Sequence, residues 1–264
     1  YYTEHRTGHG YVNVSDAIQK SCNYFFYEVG DRMGIDTLAK YARYFGLGQK
    51  TGIELQSETS GTLASKENSV SKNQTWNPGD TLNASIGQGD NNFSPIQMSR
   101  YLSILVNGGK RIDLSIIKSV LRADKTEVDK SEIEKFVKQK LGIQEPEYED
   151  LNISKENIDV VLEGMRSVAL ERGGTAYSVF KNFNIEIGGK TGSAETSTND
   201  VNAWFAAFAP YDDPEIAVIV MIENGGHGSY SAQVVKDILA EYFGMNANGV
   251  SEDMTAKPYT ESIR

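Results

Sequence analysis

Two short motifs, far apart in the chain, carry residue types that acyl-transfer chemistry uses. Ser21-Cys22-Asn23 places a hydroxyl and an amide two positions apart, and Lys190-Thr191-Gly192 places an ammonium next to a second hydroxyl. A lysine beside a serine hydroxyl can support proton transfer. Each motif is weak alone, and only the tertiary fold can bring the two together.

Nucleotide-binding patterns in the sequence are incomplete. The stretch Gly188–Glu195 reads GGKTGSAE, but Asn184 stands where a phosphate-binding loop needs its first glycine. Gly87-Gln88-Gly89 is followed by Asn92, where a dinucleotide fingerprint has its third glycine. The sequence therefore predicts no nucleotide cofactor.

The sequence also argues against a metal site and against a Ser-His-Asp catalytic triad. The only three histidines are His5, His9 and His227, which lack metal-ligand spacing. A Ser-His-Asp triad could use His227, but there is no Gly-x-Ser-x-Gly elbow. We expect neither a metal nor a cofactor.

Composition excludes further classes of protein. The 264 residues carry a net charge of −10, which argues against a nucleic-acid partner. A single cysteine, Cys22, rules out an intramolecular disulfide, and we expect it to be a small buried hydrophobic residue. The longest apolar run, Ile216–Ile222, is too short to span a membrane. The first residue is not methionine, so we expect an internal or processed piece of a longer protein.

The pattern predicts a mainly helical first part. Asp36 can cap a helix that Gly46 ends. Ser94 and Gln97 form a capping box with proline between them, and Ser154 can open a third helix. We place this part, with Ser-x-Asn, at about 8–110, followed by a charged, solvated surface excursion at about 111–150.

Strands cluster late in the chain. Ala203–Pro210 and Glu215–Glu223 are almost wholly apolar and flank a turn, and Phe183–Lys190 predicts a third strand. A closing helix covers Ser231–Phe243. We expect an α+β fold with an antiparallel sheet that helices cover on both faces, plus the helical subdomain. The sheet part runs over about 151–244, and 245–264 form a tail.

These segments resemble the C-terminal part of the transpeptidase domain of class B penicillin-binding proteins, most of all the elongation-type branch. The resemblance extends from about Gly8 to Gly244 and is weakest in the charged middle. The segments that carry it read GHGYVNVSDAIQKSCNYFFYEVGDRMGIDTLAKYARYFGLGQKTGIEL, WNPGDTLNASIGQGDNNFSPIQMSRYLSILVNGG, EGMRSVALERGGTA, GGKTGSAET and NAWFAAFAPYDDPEIAVIVMIENGG. It implies the fold shared by these domains and the serine β-lactamases, incomplete here at its N-terminal side.

The resemblance assigns roles by motif position. It implies that Ser21 relays a proton towards the leaving amine and that Lys190 supplies positive potential beside it. It also implies that Asn23 positions the acyl amide and the lysine that acts as base in the family. Thr191 and Ser193 would bind the substrate carboxylate, and the Ser193 N–H would be an oxyanion donor beside Gly192. The alternative role for Ser21 is that it caps the following helix, which Tyr24–Tyr27 would anchor in the core.

The family nucleophile, the serine of a Ser-x-x-Lys motif, does not precede Ser21 in the sequence. Three later matches begin at Ser69, Ser115 and Ser178; their order is wrong, and we expect them to be chance. The first would lie in a polar loop, the second in a strand and the third just before the Lys190 strand. The resemblance places the nucleophile in an N-terminal segment of the same protein, and we expect this chain alone to be inactive.

The resemblance implies part of a peptidoglycan D,D-transpeptidase, which cross-links D-Ala-D-Ala stem peptides and is the target of β-lactams. Two alternatives stay open: a β-lactamase or β-lactam sensor of the same fold, and a non-catalytic binding module. Measured turnover of a β-lactam would favour the first alternative over the transpeptidase. Whether the natural gene encodes a Ser-x-x-Lys motif upstream distinguishes the transpeptidase from the second alternative. The implied partner is a membrane-bound glycan polymerase, and the implied parent is anchored in the cell membrane with this domain on the extracytoplasmic side.

Overall fold

The computed structural model describes residues 8–142, 150–196, 198 and 200–245. The predicted tail after residue 245 and part of the charged excursion, residues 143–149, lie outside these ranges. The described chain divides into two compact units. One consists of the residues up to Ser21 together with those from Leu162 onward, and the other is Cys22–Val161.

Helices dominate the described residues. In chain order they are α1 Val14–Gln19, α2 Asn23–Tyr44, α3 Lys66–Ser71, α4 Pro78–Ser85, α5 Pro95–Val106, α6 Lys130–Leu141, α7 Lys155–Leu170, α8 Tyr177–Phe180 and α9 Gly228–Tyr242. The strands are β1 Gly188–Glu195, β2 Val201–Ala209 and β3 Ile216–Ile222. The predicted α+β class is confirmed.

Helix ends follow the capping residues in the sequence. Ser94 accepts a hydrogen bond from the Gln97 N–H at 3.4 Å, and the Gln97 side chain accepts from the Ser94 N–H at 2.8 Å. Gly46 ends α2 with φ of 83°, a conformation that only glycine adopts freely. The helix predicted to begin at Asp36 begins about two residues earlier, because α2 is broken by a kink at Gly34, where φ is 71° and ψ is 157°.

The three strands form one antiparallel sheet in the order β1-β2-β3, as predicted. Lys190 lies opposite Ala206, and Gly192 lies opposite Trp204. β1 begins at Gly188 rather than at Phe183, so Lys-Thr-Gly lies within the strand instead of after it. Because β1 pairs only with β2 in the described sheet, it is an edge strand.

Helix α9 packs against the sheet through small residues and an apolar stripe. The hydroxyl of Ser231 is fully buried and donates to the Ala203 carbonyl at 2.8 Å. The apolar stripe is buried and consists of Ala232, Val235 and Leu239. We expected helices to cover both faces of the sheet. This is only partly confirmed, because the face of β2 that carries Trp204 is half-buried.

The first residue of α9, Gly228, lies against the backbone of β1 and β2. A Cβ there would meet the Gly192 carbonyl oxygen at 2.7 Å and that of Trp204 at 2.8 Å. We expect Gly228→Ala to lower the free energy of unfolding by about 1–3 kcal/mol, since backbone atoms cannot rotate away. Urea denaturation measures this change.

Gly79, the second residue of α4, is the matched control. A Cβ at Gly79 would have no neighbour within 4 Å, and alanine favours the helix by about 0.5–1 kcal/mol over glycine. Gly79→Ala should therefore stabilise the protein. Equal effects of the two substitutions would show that Gly228 is not held by close packing.

The unit Cys22–Val161 is organised around buried polar groups of α5. The Gln97 side chain is fully buried and donates to the carbonyls of Gln49 and Ser60 at 2.7 Å each. Arg100 is 1% exposed and donates to the Thr51 carbonyl at 3.2 Å. These bonds tie α5 to the 49–61 loop.

The charged excursion contains a helix that the sequence did not predict. α6 begins after Asp129, whose side chain accepts from the Ser131 N–H at 2.8 Å, and it ends at Gly142, where φ is 64°. None of its residues is buried. Among the described residues, no helix has the length and apolar character needed to cross a membrane.

Candidate active site

Ser21 occupies the turn between α1 and α2 in a left-handed backbone conformation, with φ of 50°. Its N–H donates to the Ile18 carbonyl at 3.2 Å, which closes the end of α1. The N-cap of α2 is Cys22, and that helix has no side-chain cap. The capping role for Ser21 is therefore wrong, and its hydroxyl serves another contact.

Close packing and a buried amide hold α1, the helix that precedes Ser21. A Cβ at Gly164 of α7 would meet Ile18 Cβ at 2.9 Å and Ser15 Cα at 3.0 Å, so only glycine permits this approach. Gln19 is 7% exposed and donates to Glu171 Oε2 at 3.3 Å. The end of α1 is thereby fixed to the end of α7.

Lys190 meets Ser21 across 169 positions of sequence. Its Nζ donates to Ser21 Oγ at 2.6 Å and to the Thr191 carbonyl at 2.8 Å. The side chain is half-buried, and loss of water around the ammonium lowers the pKa of Lys190 from 10.5 to about 8. A lysine with this pKa can lose or keep its charge near neutral pH.

Thr191 and Ser193 lie on one face of β1, opposite to Lys190, because side chains alternate along a strand. The hydroxyls of Thr191 and Thr175 are 2.7 Å apart. Gly192 lies between Thr191 and Ser193, and a Cβ at Gly192 would meet Trp204 Cβ at 3.0 Å. This face of the strand thus presents neighbouring hydroxyls, which suit a carboxylate ligand.

Asn23 is the first residue of α2 and is exposed; it lies in the other unit of the chain from Lys190. Cys22 is buried, with 7% of its surface exposed, as expected. The prediction that Tyr24–Tyr27 anchor the core is wrong at its start, since Tyr24 is 73% exposed. The reason is the period of the helix, which turns the first aromatic outward.

The three later Ser-x-x-Lys matches lie in unrelated places. Ser69 is in α3, not in a loop, and Lys72 pairs with Asp90 at 3.0 Å. Ser115 is bonded to Glu54 and is not in a strand. Ser178 lies in α8, just before β1. In the ranges described, no hydroxyl of these serines bonds the ammonium of the lysine in its motif.

Sequence reasoning missed Gln19 and Thr175. Thr175 follows a pair of glycines, Gly173 and Gly174, within a segment that carried the family resemblance. Gly174 is required there because a Cβ would meet two carbonyl oxygens of α7 at 2.4 Å. The glycine pair was the available signal for a tight turn, but it did not indicate what the next hydroxyl contacts.

Lys190 on the edge strand β1 and Ser21 after α1 form a lysine–serine pair within an α+β fold. The model of the penicillin-binding protein transpeptidase domain matches residues 1–240, and the chain belongs to that family, in its class B, elongation-type branch.

Three similar proteins illustrate the match. Peptidoglycan D,D-transpeptidase MrdA of Haemophilus influenzae is 31% identical over 90% of this chain and 37% of its own length. The crystal structure of Pseudomonas aeruginosa PBP2 in complex with WCK 5153 is 32% identical, with a TM-score of 0.79 over 96% of this chain and 54% of that one. A chain of a peptidoglycan synthase complex is 31% identical, with a TM-score of 0.73 over 89% of this chain and 38% of its own length. The chain thus spans well under half the length of the curated relative.

Proposed function

We propose that the chain is part of a peptidoglycan D,D-transpeptidase that cross-links stem peptides by serine acyl transfer and is acylated by β-lactams. The observation that carries the proposal is the 2.6 Å hydrogen bond between Lys190 Nζ and Ser21 Oγ. The similarity to MrdA supports the choice of reaction. The test is the rate at which a fluorescent penicillin labels the complete protein and variants of these two residues.

In the proposed mechanism Ser21 conducts a proton to the amine that leaves the scissile bond. The charged ammonium of Lys190 donates a hydrogen bond to the Ser21 hydroxyl. Ser21 Oγ can therefore accept a proton only as it passes its own hydroxyl proton to the leaving amine. The positive charge also stabilises the alkoxide character that develops on Ser21 during this transfer. A fixed 2.6 Å contact means that little reorganisation is needed.

Thr191 and Ser193 are proposed to hold the terminal carboxylate of the donor peptide or of a β-lactam. Thr175 bonds the Thr191 hydroxyl and so fixes the direction in which that hydroxyl faces. Ser193 is also proposed to supply a backbone N–H to the oxyanion. Asn23 is proposed to orient the acyl amide.

We propose that the nucleophile is none of the serines named above. The charged ammonium of Lys190 donates to the Ser21 hydroxyl and so does not serve it as a base. In the described structure the hydroxyls of the serines in the three later motifs make no bond to the ammonium groups of their lysines. An acyl-enzyme needs a serine with an adjacent base. The family pattern puts that serine in a segment N-terminal to Ser21.

The 264-residue chain incubated with a β-lactam should therefore keep its mass. Intact-protein mass spectrometry, with and without the upstream segment of the complete protein, measures this directly. The complete protein should gain one β-lactam per molecule. A stoichiometric adduct on the chain alone, mapped to Ser21, Ser69, Ser115 or Ser178, would contradict the assignment.

The acylation rate of the complete protein should fall as pH rises through about 8. Lys190 is charged below its folded pKa of about 8 and neutral above it, and the mechanism uses the charged form. Lys190→Arg is the control, because arginine stays charged to pH above about 12. That variant should be slower but should lack the decline near pH 8. A decline at the same pH in both proteins would assign it to another group.

The same pKa makes a stability prediction of defined sign. Between pH about 8 and 10.5 the unfolded chain binds the Lys190 proton and the folded chain does not, so the free energy of unfolding rises with pH. Below pH about 8 this contribution is constant. Urea denaturation gives the free energy of unfolding of the protein and of Lys190→Met across this pH range. The difference between the two values isolates the contribution of Lys190 from that of tyrosine ionisation.

We further propose that the complete protein is membrane-anchored, with this domain on the extracytoplasmic side, and that it works with a glycan polymerase. One similar structure is described as a peptidoglycan synthase complex that coordinates polymerization and crosslinking. Co-purification of the complete protein with a polymerase from detergent-solubilised membranes tests the partnership.

A further inference from the structure

A polar pocket of about 450 Å³ lies within the unit Cys22–Val161. It is lined by residues of α3, of the loop that follows α3, of α4 and of the loop after α4. Its volume is in the range of about 300–1,000 Å³ that small-molecule sites occupy. The acyl-transfer mechanism above uses none of its residues.

Trp76 gives the pocket one apolar surface. The indole is half-buried, and its Nε1–H donates to Thr81 Oγ1 at 3.0 Å. Because this bond fixes the ring and occupies its only donor, the tryptophan can offer a ligand only the carbon surface of the ring. A matching ligand has an apolar face.

Ser69 gives the pocket an unpaired hydroxyl. The residue is only 5% exposed, and no hydrogen-bond partner for its Oγ exists among the described residues. Among the described residues, the enclosed side-chain N and O atoms without a partner are Nε and Nη2 of Arg100, so the Ser69 hydroxyl is open to the pocket. A ligand can therefore bond it in place of water. The side-chain amides of Gln74 and Asn83 also line the pocket and make no bond to the described protein, and each offers a donor and an acceptor.

Two carboxylates complete the lining. Asp80 Oδ2 accepts from the Asn77 N–H at 2.7 Å, and Asp90 Oδ2 accepts from Lys72 Nζ at 3.0 Å. In the described structure the other oxygen of each carboxylate has no partner, so it can accept from a ligand hydroxyl. Since Asp90 neutralises Lys72, the lining favours a neutral ligand rich in hydroxyl donors over an anion.

We propose that this pocket binds an N-acetylated sugar of a glycan strand. A pyranose ring has an apolar C–H face for Trp76 and hydroxyls for Asp80 and Asp90. Its acetamido group both donates and accepts, which matches Asn83 and the unpaired hydroxyl of Ser69. The choice of an N-acetylated glycan rests on the proposed function, because stem peptides are carried on such strands. Binding itself needs no catalysis.

The test is a ¹⁵N–¹H NMR titration of the protein with N,N′-diacetylchitobiose and chitotetraose. The chain has two tryptophans, Trp76 and Trp204, and so two indole N–H signals, which Trp76→Phe assigns. The Trp76 signal should move and saturate while that of Trp204 stays in place. Cellobiose and cellotetraose, which lack the acetamido group, should bind at least tenfold more weakly.

Trp76→Ala and Ser69→Ala should each weaken chitotetraose binding about tenfold, as loss of an aromatic or hydrogen-bond contact does. Because the Trp76 variants lack the Trp76 indole signal, binding to every variant is read from the backbone amide signals of the pocket residues. Unchanged backbone amide signals of α5, which lies in the same unit as the pocket, show that this unit is still folded in each variant. Trp76→Phe serves as a second, milder variant if alanine unfolds the protein.

Three results would overturn the proposal. The first is no movement of the Trp76 signal at tens of millimolar sugar. The second is binding of chitotetraose by Ser69→Ala and Trp76→Ala that is as tight as by the unchanged protein, and the third is movement of the Trp76 signal by a lysine peptide but not by sugar. Penicillin labelling of the complete protein is measured in parallel. Normal labelling without sugar binding rejects the pocket alone, and sugar binding without labelling rejects the acyl-transfer function alone.

Discussion

Replacing Lys190 by alanine in the complete protein should lower its rate of acylation by a β-lactam about 10²- to 10⁴-fold. Loss of a proton-transfer or electrostatic group in an active site commonly has an effect of this size. The ammonium lies 2.6 Å from Ser21 Oγ, and no other described cation bonds that hydroxyl. Stopped-flow or gel-based labelling with a fluorescent penicillin gives the rate.

Stability should change little in the same variant. Alanine removes a desolvated charge, which is favourable, and leaves the Ser21 hydroxyl and the Thr191 carbonyl without their donor, which is not. We expect the two effects to offset to within about 1 kcal/mol. Lys181→Ala, at an exposed lysine that ends α8, is the control and should change neither quantity. A fall in stability with unchanged acylation would make Lys190 a structural residue.

Replacing Ser21 by glycine should separate the hydroxyl from the backbone that carries it. The residue has φ of 50°, which glycine adopts freely and which costs other residues about 1 kcal/mol or more. Ser21→Gly should therefore keep or raise the free energy of unfolding while acylation falls about 10²- to 10⁴-fold.

Ser21→Ala is the matched variant, because it removes the same hydroxyl but keeps the Cβ in the left-handed conformation. It should lose as much acylation as Ser21→Gly and should be less stable than that variant by about 1 kcal/mol. Equal stabilities would show that the turn is unstrained. Near-normal acylation in Ser21→Gly would remove the serine from the mechanism.

The fold class and the two motifs could be predicted from the sequence because the local signals for helices and strands agree with the final structure. The capping box at Ser94 and Gln97, and the glycine after α2, each specify a helix end by hydrogen bonds between near neighbours. Two apolar strands joined by a short turn specify an antiparallel pair. The position of β1 was shifted because Phe183 and Ile187 have the apolar pattern of a strand, yet only residues from Gly188 pair with β2.

The site was less predictable because its contacts are long-range. Ser21 adopts a left-handed turn instead of capping α2, and the helix before it, α1, packs against Gly164, which is far away in the sequence. The bond between Thr175 and Thr191 joins a loop to a strand and has no local pattern. Short helices such as α1 and α4 also escaped prediction, since their capping boxes precede too few apolar residues to show a helical period.

A double-mutant cycle on acylation by a fluorescent penicillin tests most directly whether Ser21 and Lys190 act as one unit. The rates of the complete protein, Ser21→Gly, Lys190→Ala and the double variant are compared under identical conditions. If the lysine works through the serine hydroxyl, the double variant should be no more than about threefold slower than the slower single variant. A double variant whose loss equals the product of the two single losses would contradict the shared role.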